Sequence, residues 1–595
     1  MITVMPHLPK KVRENFLYRS IEKFLGHFDL HLTAQAISNI LAVIVGALAG
    51  LGAVAFRYLI NFNHYFFFTV CKDIFSFLGE YYVVVVPALG GLLVGPMVYN
   101  FAREAKGHGV PEVMENVALK GGRIRARVAA IKSLASSICI GSGGSVGREG
   151  PIVQIGSSLG SSVGQLLRLR PDLIKGLVAC GAAGGISATF NAPLGGVIFA
   201  LEVILGNFSA NTFVSLTLAS FSALVVALPF FGSSPAFKVT HFTFQGAEEI
   251  PLYIAMGIFG AVIAHFYVKA LYFTEDFWDR IRFPEQFKPV VGGLIIGSLG
   301  FFYPHIFGVG YETIEGAMLN QLPLVLLISL VFLKIFATSI TIGSGGSGGV
   351  FAPSLFIGAM LGGAFGKLVV IYFPDVATPA GAYSLVGMGT IFAAAAQAPI
   401  TAVIILFELT DDYHLIMPIM LSCSISYLLY RQFSKESIYT MKLIRRGVHL
   451  HGGRDLNVLQ DIMVKDIMGK KVEIVSEEMP LPGLQKLIQS TEHMGFPVVN
   501  DKGELSGMVT FDDFHYVENN ADLNNMKVKD IFKHDHIIVT YPDETLDDVV
   551  HKLGLRHVGR LPVVDRNNPK RLLGLITRTD IVNAYSKYQA FGKYS

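Results

Sequence analysis

Two glycine-rich stretches sit inside strongly apolar sequence. Ile140 to Pro151 reads IGSGGSVGREGP, and Ile342 to Pro353 reads IGSGGSGGVFAP. Glycine lets a backbone approach a ligand closely and take conformations that other residues avoid. In Gly147-Arg-Glu-Gly-Pro151 the proline suits the first turn of a helix, where a missing N–H costs nothing. The free N–H groups of such a helix start, reinforced by the helix dipole, form an anion site. Glu149 then places a carboxylate beside that site. As an anion it can fill the site and block it; once protonated it can leave. That is the chemistry of a proton-operated anion gate, and an ionisable residue at membrane depth is a functional candidate by default. The competing expectation is a surface ion pair between Glu149 and Arg148.

The elements that must hold these loops are membrane helices. Of 595 residues, 52% are hydrophobic and only 16% charged, with mean hydropathy +0.50. Such a composition excludes an ordinary soluble enzyme. Apolar stretches run over roughly 35–60, 82–100, 128–140, 176–205, 211–231, 252–272, 289–307, 322–342, 350–372, 380–407 and 414–430. Some reach the ~20 residues that span a bilayer, and others are cut by Gly and Pro. Broken helices survive at that depth only when buried or lining a cavity. The glycine motif recurs after 202 residues. A second motif recurs after 206: Asn191-Ala-Pro-Leu leads to Glu202, and Gln397-Ala-Pro-Ile leads to Glu408. Two motifs at nearly one offset imply a duplicated membrane domain with an anion held between its halves. The letters leave open whether the halves are inverted or parallel.

From about Arg445 the composition turns polar, so a soluble domain is expected to follow. It carries its own repeat of ~60 residues: Val464-Lys-Asp-Ile returns at Val528, Phe496-Pro-Val-Val as Leu561-Pro-Val-Val, and Gly507-Met-Val-Thr as Gly574-Leu-Ile-Thr. Each unit reads as a hairpin preceded by a helix, over Pro480–Ser490 and Glu544–Gly554. Units this small should pack together. Basic residues flank the apolar region: Lys10, Lys11, Arg13, Arg19 and Lys23 before it, and Arg431, Lys435, Lys442, Arg445 and Arg446 after it. Both termini are therefore expected in the cytoplasm. The four cysteines lack CxxC spacing and read as buried free thiols, with no metal site expected. A net charge of +3 gives no reason to expect a nucleic-acid partner.

With these motifs the sequence resembles the CLC chloride channels and transporters over almost its whole length. GREGP at 147–151 and GVFAP at 349–353 match two signature motifs. Gly107-His-Gly-Val-Pro-Glu112 stands where the family usually has GSGIPE, Thr189-Phe-Asn-Ala-Pro-Leu194 matches another, and Lys435-Glu-Ser-Ile-Tyr439 resembles the segment that carries the family's tyrosine. The tail resembles a pair of CBS modules. The resemblance implies an all-α polytopic membrane domain of two repeated halves with many broken helices, followed by an α/β CBS-pair cytoplasmic domain. The expected boundaries are a cytoplasmic segment at 1–30, the membrane domain at 31–440, a linker at 441–460, and CBS modules at 461–520 and 526–590.

The resemblance also implies a homodimer in a lipid bilayer with one chloride path per subunit. The amides of Val350 and Phe351, with the Tyr439 hydroxyl, hold the central anion. The amides of Arg148, Glu149, Gly150 and Ala352 line an outer site, with Glu149 as the external gate. Gly107, His108 and Gly109 flank the inner side. Neutral amide dipoles bind an anion firmly enough to select it yet let it leave. In the tail, Thr510 and Asp513, or Thr577 and Asp580, match positions that contact phosphate and ribose when such modules bind adenine nucleotides. A dimerisation module without a ligand is the alternative.

Two departures from the family pattern matter. His108 replaces a serine that touches the central anion, and its charge can change near neutral pH. It is expected to make transport acid-dependent or to alter anion preference, unless its ring points aside. Val203 stands where proton-coupled relatives carry an internal glutamate, and valine cannot bind a proton. Glu202 beside it is expected to be structural, because Glu408 occupies the equivalent place in the other half. The sequence therefore favours a chloride-selective channel, not an enzyme, gated by Glu149 and by pH; the alternative is an H+/Cl− exchange transporter. A cation transporter would need carboxylates or carbonyls facing the path, the opposite sign to these N–H groups. A P-loop enzyme would need the GK[ST] ending that both loops lack. Varying only the first of two diagnostic positions ranks chloride above fluoride. The expected location is a bacterial inner membrane.

Overall fold

The structure, a computed structural model, describes residues 34–232, 246–375, 378–410, 413–448, 459, 462–491, 493–518, 525–532, 537–555 and 559–591. The basic run Lys10 to Lys23, the 1–30 segment and most of the 441–460 linker lie outside these residues. The chain forms two compact units, 1–455 and 456–595.

The first unit is helical. Among the described residues, eight helices are long and apolar enough to cross a membrane. The first half comprises α1 (Ala34–Tyr65), α2 (Tyr82–Phe101), α3 (Val110–Leu119), α4 (Arg127–Gly141), α5 (Glu149–Leu166), α6 (Pro171–Phe190), α7 (Pro193–Phe199, extended by a wider turn over Ala200–Leu205) and α8 (Ala210–Phe231). The second half repeats the order: α9 (Ile250–Arg280), α10 (Lys288–Phe302), α11 (Tyr311–Met318), α12 (Leu324–Gly343), α13 (Phe351–Tyr372), α14 (Ala380–Ala396), α15 (Pro399–Thr410) and α16 (Ile416–Phe433). A short α17 (Thr440–Arg445) follows.

Two stretches that read as continuous in the sequence, 176–205 and 380–407, are each broken. The breaks fall at Asn191 (φ 58°) and Gln397 (φ 53°), equivalent left-handed caps that end α6 and α14. The next helices, α7 and α15, each begin with a proline, which is pre-set for a helix start. Their exposed first amides are capped across the repeat. Glu408 accepts from Leu194 N at 2.9 Å and Gly195 N at 2.6 Å, while Glu202 accepts from Ile400 N at 3.2 Å and Thr401 N at 2.7 Å. Each carboxylate thus closes the helix start of the other half, and the structural reading of Glu202 holds.

Helices within a half meet at glycine crossings. A methyl group on Gly156 of α5 would lie 2.1 Å from the Gly181 carbonyl oxygen of α6, and one on Gly358 of α13 would lie 2.2 Å from that of Gly387 in α14. These contacts bring the helices that carry the two glycine loops close to their neighbours. Cys71, Cys139, Cys180 and Cys423 are buried free thiols.

The second unit holds two small mixed modules. β1 (Val475–Ser476), α18 (Leu481–Thr491), β2 (Gly495–Val499), β3 (Leu505–Thr510) and α19 (Phe511–Glu518) form one; α20 (Leu546–Leu555), β4 (Arg560–Val564), β5 (Leu572–Thr577) and α21 (Arg578–Phe591) form the other. β2 pairs antiparallel with β3, and β4 with β5, as the repeated hairpins predict. The lead segments are exchanged. Val464 packs with Leu546, Leu561 and Ile576, whereas Val528 and Phe532 pack with Val475, Leu481 and Phe496. Backbone bonds secure the exchange, from Val464 N to Glu544 O and from Val528 N to Met479 O, both 2.9 Å.

Candidate anion path

The two glycine loops meet. Gly147 N donates to Gly349 O at 2.8 Å, and Gly349 N donates to Gly147 O at 2.6 Å. This reciprocal pair puts the starts of α5 and α13 side by side. Arg148 and Val350 are the residues before each helix, and prolines 151 and 353 occupy the third helical position. The amides of Glu149, Gly150, Phe351 and Ala352 fall in first turns, where no intrahelical acceptor exists. Glycine is required at this crossing: a methyl on Gly150 would lie 2.1 Å from the His108 carbonyl oxygen.

Glu149 is buried, with 1% of its surface exposed, and is not a surface ion pair with Arg148. Its Oε2 accepts from Ala352 N at 3.3 Å, and its own backbone N–H also points to the carboxylate. Its Oε1 accepts from the Tyr311 hydroxyl at 2.6 Å. The carboxylate therefore lies among the helix-start amides that the sequence assigns to an anion. Arg148 places its guanidinium over the Tyr311 ring, 4.9 Å from the centroid.

His108 and Tyr439 come together at the other side of the loops. Both are buried, and their ring centroids are 6.1 Å apart. Among the described residues, neither ring nitrogen of His108 has a hydrogen-bond partner. Gly107 and Gly109 have positive φ (77° and 83°), which only glycine adopts without strain. Gly107 exchanges backbone bonds with the second loop, donating to Gly346 O at 3.1 Å and accepting from Gly348 N at 3.3 Å. Tyr439 is fixed through its neighbour: Ile438 N donates to Ala395 O at 2.7 Å, and the Tyr272 hydroxyl donates to Ile438 O at 2.6 Å. Phe351 packs against Phe190 and Phe392, at 5.3 and 4.3 Å between centroids. Tyr267 donates to Val350 O at 3.4 Å.

A cavity of 380 Å³ lined by Lys106, Glu275, Lys442 and Arg446, among others, lies near this end. Lys442 is buried 3.8 Å from Glu112 and 3.7 Å from Glu275, and a methyl on Gly107 would reach its ammonium at 2.6 Å. Val203 is buried in the main apolar core, so no proton-binding side chain occupies that position.

Three residues that sequence reasoning missed support these loops. Lys132, fully buried, donates to Ala105 O at 3.0 Å and Gly107 O at 2.7 Å; Lys334 donates to Ile306 O at 3.1 Å and Gly308 O at 2.9 Å. Tyr311 is the third. Its signal was present: Gly308-Val-Gly-Tyr-Glu312 repeats the glycine spacing of Gly107-His-Gly-Val-Pro-Glu112.

In the tail, each Thr–Asp pair closes on itself. Asp513 Oδ2 accepts from Thr510 N and Oγ1 at 3.0 and 2.5 Å, and Asp580 Oδ2 from Thr577 N and Oγ1 at 2.9 and 2.6 Å. Thr545 and Asp548 do the same at the start of α20, at 3.0 and 2.7 Å. The motif is a helix-start cap in all three places.

The profile of the voltage-gated chloride channel family matches residues 88–431, and that of the CBS domain matches residues 464–517 and 528–587. The H(+)/Cl(−) exchange transporter ClcA of Salmonella arizonae is 31% identical over 418 residues, covering 68% of this chain and 88% of that protein. The putative chloride channel protein ClcB-like of Ralstonia nicotianae is 32% identical over 367 residues, covering 61% and 85%. A solved slow cyanobacterial Cl−/H+ antiporter matches with TM-score 0.65 and 25% identity, over 70% of this chain and 98% of that one.

Proposed function

The chain belongs to the voltage-gated chloride channel family, and on that premise we propose that it exchanges chloride for protons across a membrane, with Glu149 serving as both gate and proton carrier. It is a multi-pass integral membrane protein of a chloride-transporting family. The observation that carries the proposal is the Glu149 carboxylate lying against the amide of Ala352 and its own N–H, where an anion would compete with it. Protonation removes the charge that holds the side chain there. Chloride then takes the amides, and loss of the proton returns the carboxylate.

On this reading Val350, Phe351 and Tyr439 hold the central anion. Arg148, Gly150 and Ala352 line the outer site through their amides, and Gly107, His108 and Gly109 border the inner side. Exchange now ranks ahead of the channel favoured by Val203, because similar proteins include an H(+)/Cl(−) exchange transporter and a Cl−/H+ antiporter. His108, with two unpartnered ring nitrogens, and the cavity beside Lys442 offer a proton route that does not need position 203.

A channel is the second reading, favoured by the buried Val203. Purified protein in liposomes decides between them. With a chloride gradient, the potential set by potassium and valinomycin, and external pH followed, exchange drives protons uphill. Chloride efflux without uphill proton movement establishes the channel.

The working unit on this reading is a homodimer in a bacterial inner membrane with both termini cytoplasmic. Adenine nucleotide binding by the CBS pair would require Thr510 and Asp513, or Thr577 and Asp580, to exchange their mutual hydrogen bonds for the ligand's. Calorimetric titration with ATP, ADP and AMP tests this.

A further inference from the structure

The Glu149 carboxylate has a partner that the amide site does not explain. Tyr311 opens α11 directly after Gly310, whose φ of 83° turns the chain into the helix. The loop before it is held rigidly. Lys334 binds the Ile306 and Gly308 carbonyls, and a methyl on Gly310 would strike the Phe356 ring at 2.7 Å. The result is a phenol aimed at Glu149 Oε1 from 2.6 Å. An O–H donating to a carboxylate at that distance is of the strong, charge-assisted kind.

Among the described residues, the groups facing the carboxylate are few. Arg148 comes from its own helix start, the Ala352 amide from α13, the Tyr311 hydroxyl from α11, and Tyr439 acts electrostatically from the start of α17. Arg57 on α1 acts on Arg148 and Tyr311. Of these, only Tyr311 is a side chain bonded to the carboxylate from the second half of the repeat.

We propose that Tyr311 is a positioning residue that latches the ionised Glu149 carboxylate in the anion path, so that opening requires this hydrogen bond to break. The proposal rests on the reading of Glu149 as the gate. A carboxylate held only by amides exchanges with an anion on equal terms. The phenol adds a bond that only the seated carboxylate makes in this geometry. Proton uptake by Glu149 weakens that bond, so the latch couples release to acid.

Tyr311→Phe keeps the ring under Arg148 and removes the donor. In liposomes, chloride flux at neutral pH is expected to rise about tenfold. The acid-activation curve is expected to move about one unit toward higher pH. In a Glu149→Gln background the same change is expected to have no further effect, since the latch acts only through the carboxylate. If Tyr311→Phe leaves both flux and pH curve on those of the parent while Glu149→Gln raises flux, the latch is wrong and the gate stands. If Tyr311→Phe alters flux equally in both backgrounds, Tyr311 acts on the path itself and the latch is also wrong. If Glu149→Gln leaves flux unchanged, the gate reading fails and the latch with it. Should Tyr311→Phe fail to accumulate, Tyr311→Leu removes the same donor and is read in the same way.

Discussion

Lys132 and Lys334 stand 202 positions apart and hold equivalent loops by the same two bonds. The ammonium of Lys132 ties the Ala105 and Gly107 carbonyls on the His108 side, and that of Lys334 ties the Ile306 and Gly308 carbonyls on the Tyr311 side. Both lysines are completely buried. The duplicated halves thus aim two different side chains, a histidine and a tyrosine, from one kind of scaffold.

Replacing either lysine by methionine fills the space but removes both donors. Each substitution is expected to cost about 2–4 kcal/mol through carbonyls left short of partners. Thermal unfolding in detergent should show comparable losses for Lys132→Met and Lys334→Met. A large drop at one and none at the other would break the equivalence.

Glu202→Ala and Glu408→Ala each remove a two-amide cap from the opposite half. Each is expected to lower stability by about 1–2 kcal/mol. Neither should change the ratio of protons to chloride moved. A lost proton response in Glu202→Ala would instead make that carboxylate part of the relay.

His108→Ser tests the unpartnered imidazole. Lys442, Lys132 and Arg446 are the cations that act on it, and Tyr439 is its ring neighbour. A ring that gains a proton as pH falls attracts chloride more strongly. Burial and these cations all oppose a charge on the ring, so any acid dependence it contributes lies below the ordinary histidine range, and the serine variant should lose it there. Superimposable profiles would assign the ring a packing role.

Gly156→Ala and Gly358→Ala place a methyl about 2 Å from a neighbouring carbonyl oxygen, and each is expected to cost at least 1–3 kcal/mol. Gly176→Ala is the control. Open space surrounds that position on α6, and alanine there should be neutral or stabilise by about 0.5–1 kcal/mol.

The exposed Glu478 carboxylate accepts from Lys527 and Lys529, each at 2.6 Å, and these bonds hold its pKa down to about 2. A depressed carboxylate supports the fold above the usual range, and that support is lost as pH falls toward 2. Glu478→Gln should therefore matter at neutral pH and progressively less in acid. The difference should also shrink with added salt, which screens an exposed pair.

Much of the site was legible because backbone chemistry restricts residue type. Glycines at crossing loops, prolines at helix starts and the Glu149 carboxylate announce themselves in any such sequence. Lys132 and Lys334 did not, since their acceptors are carbonyls some 25 residues away and carbonyls carry no letter. The breaks at Asn191 and Gln397 were hidden for a related reason. An apolar run has the same composition whether or not one residue inside it turns left-handed. Tyr311 was hidden because Gly308-Val-Gly-Tyr-Glu312 shares only its glycine spacing with Gly107-His-Gly109, and a glycine pair alone does not say which side chain the loop aims.

The exchanged lead segments of the tail have a consequence for how it can fail. Val464 completes the core that the later repeat builds, and Val528 completes the earlier one. Neither repeat is a self-sufficient folding unit, so the pair should melt in a single transition. A chain cut between the repeats would keep neither core complete; it would leave an open, apolar remnant for quality control to remove.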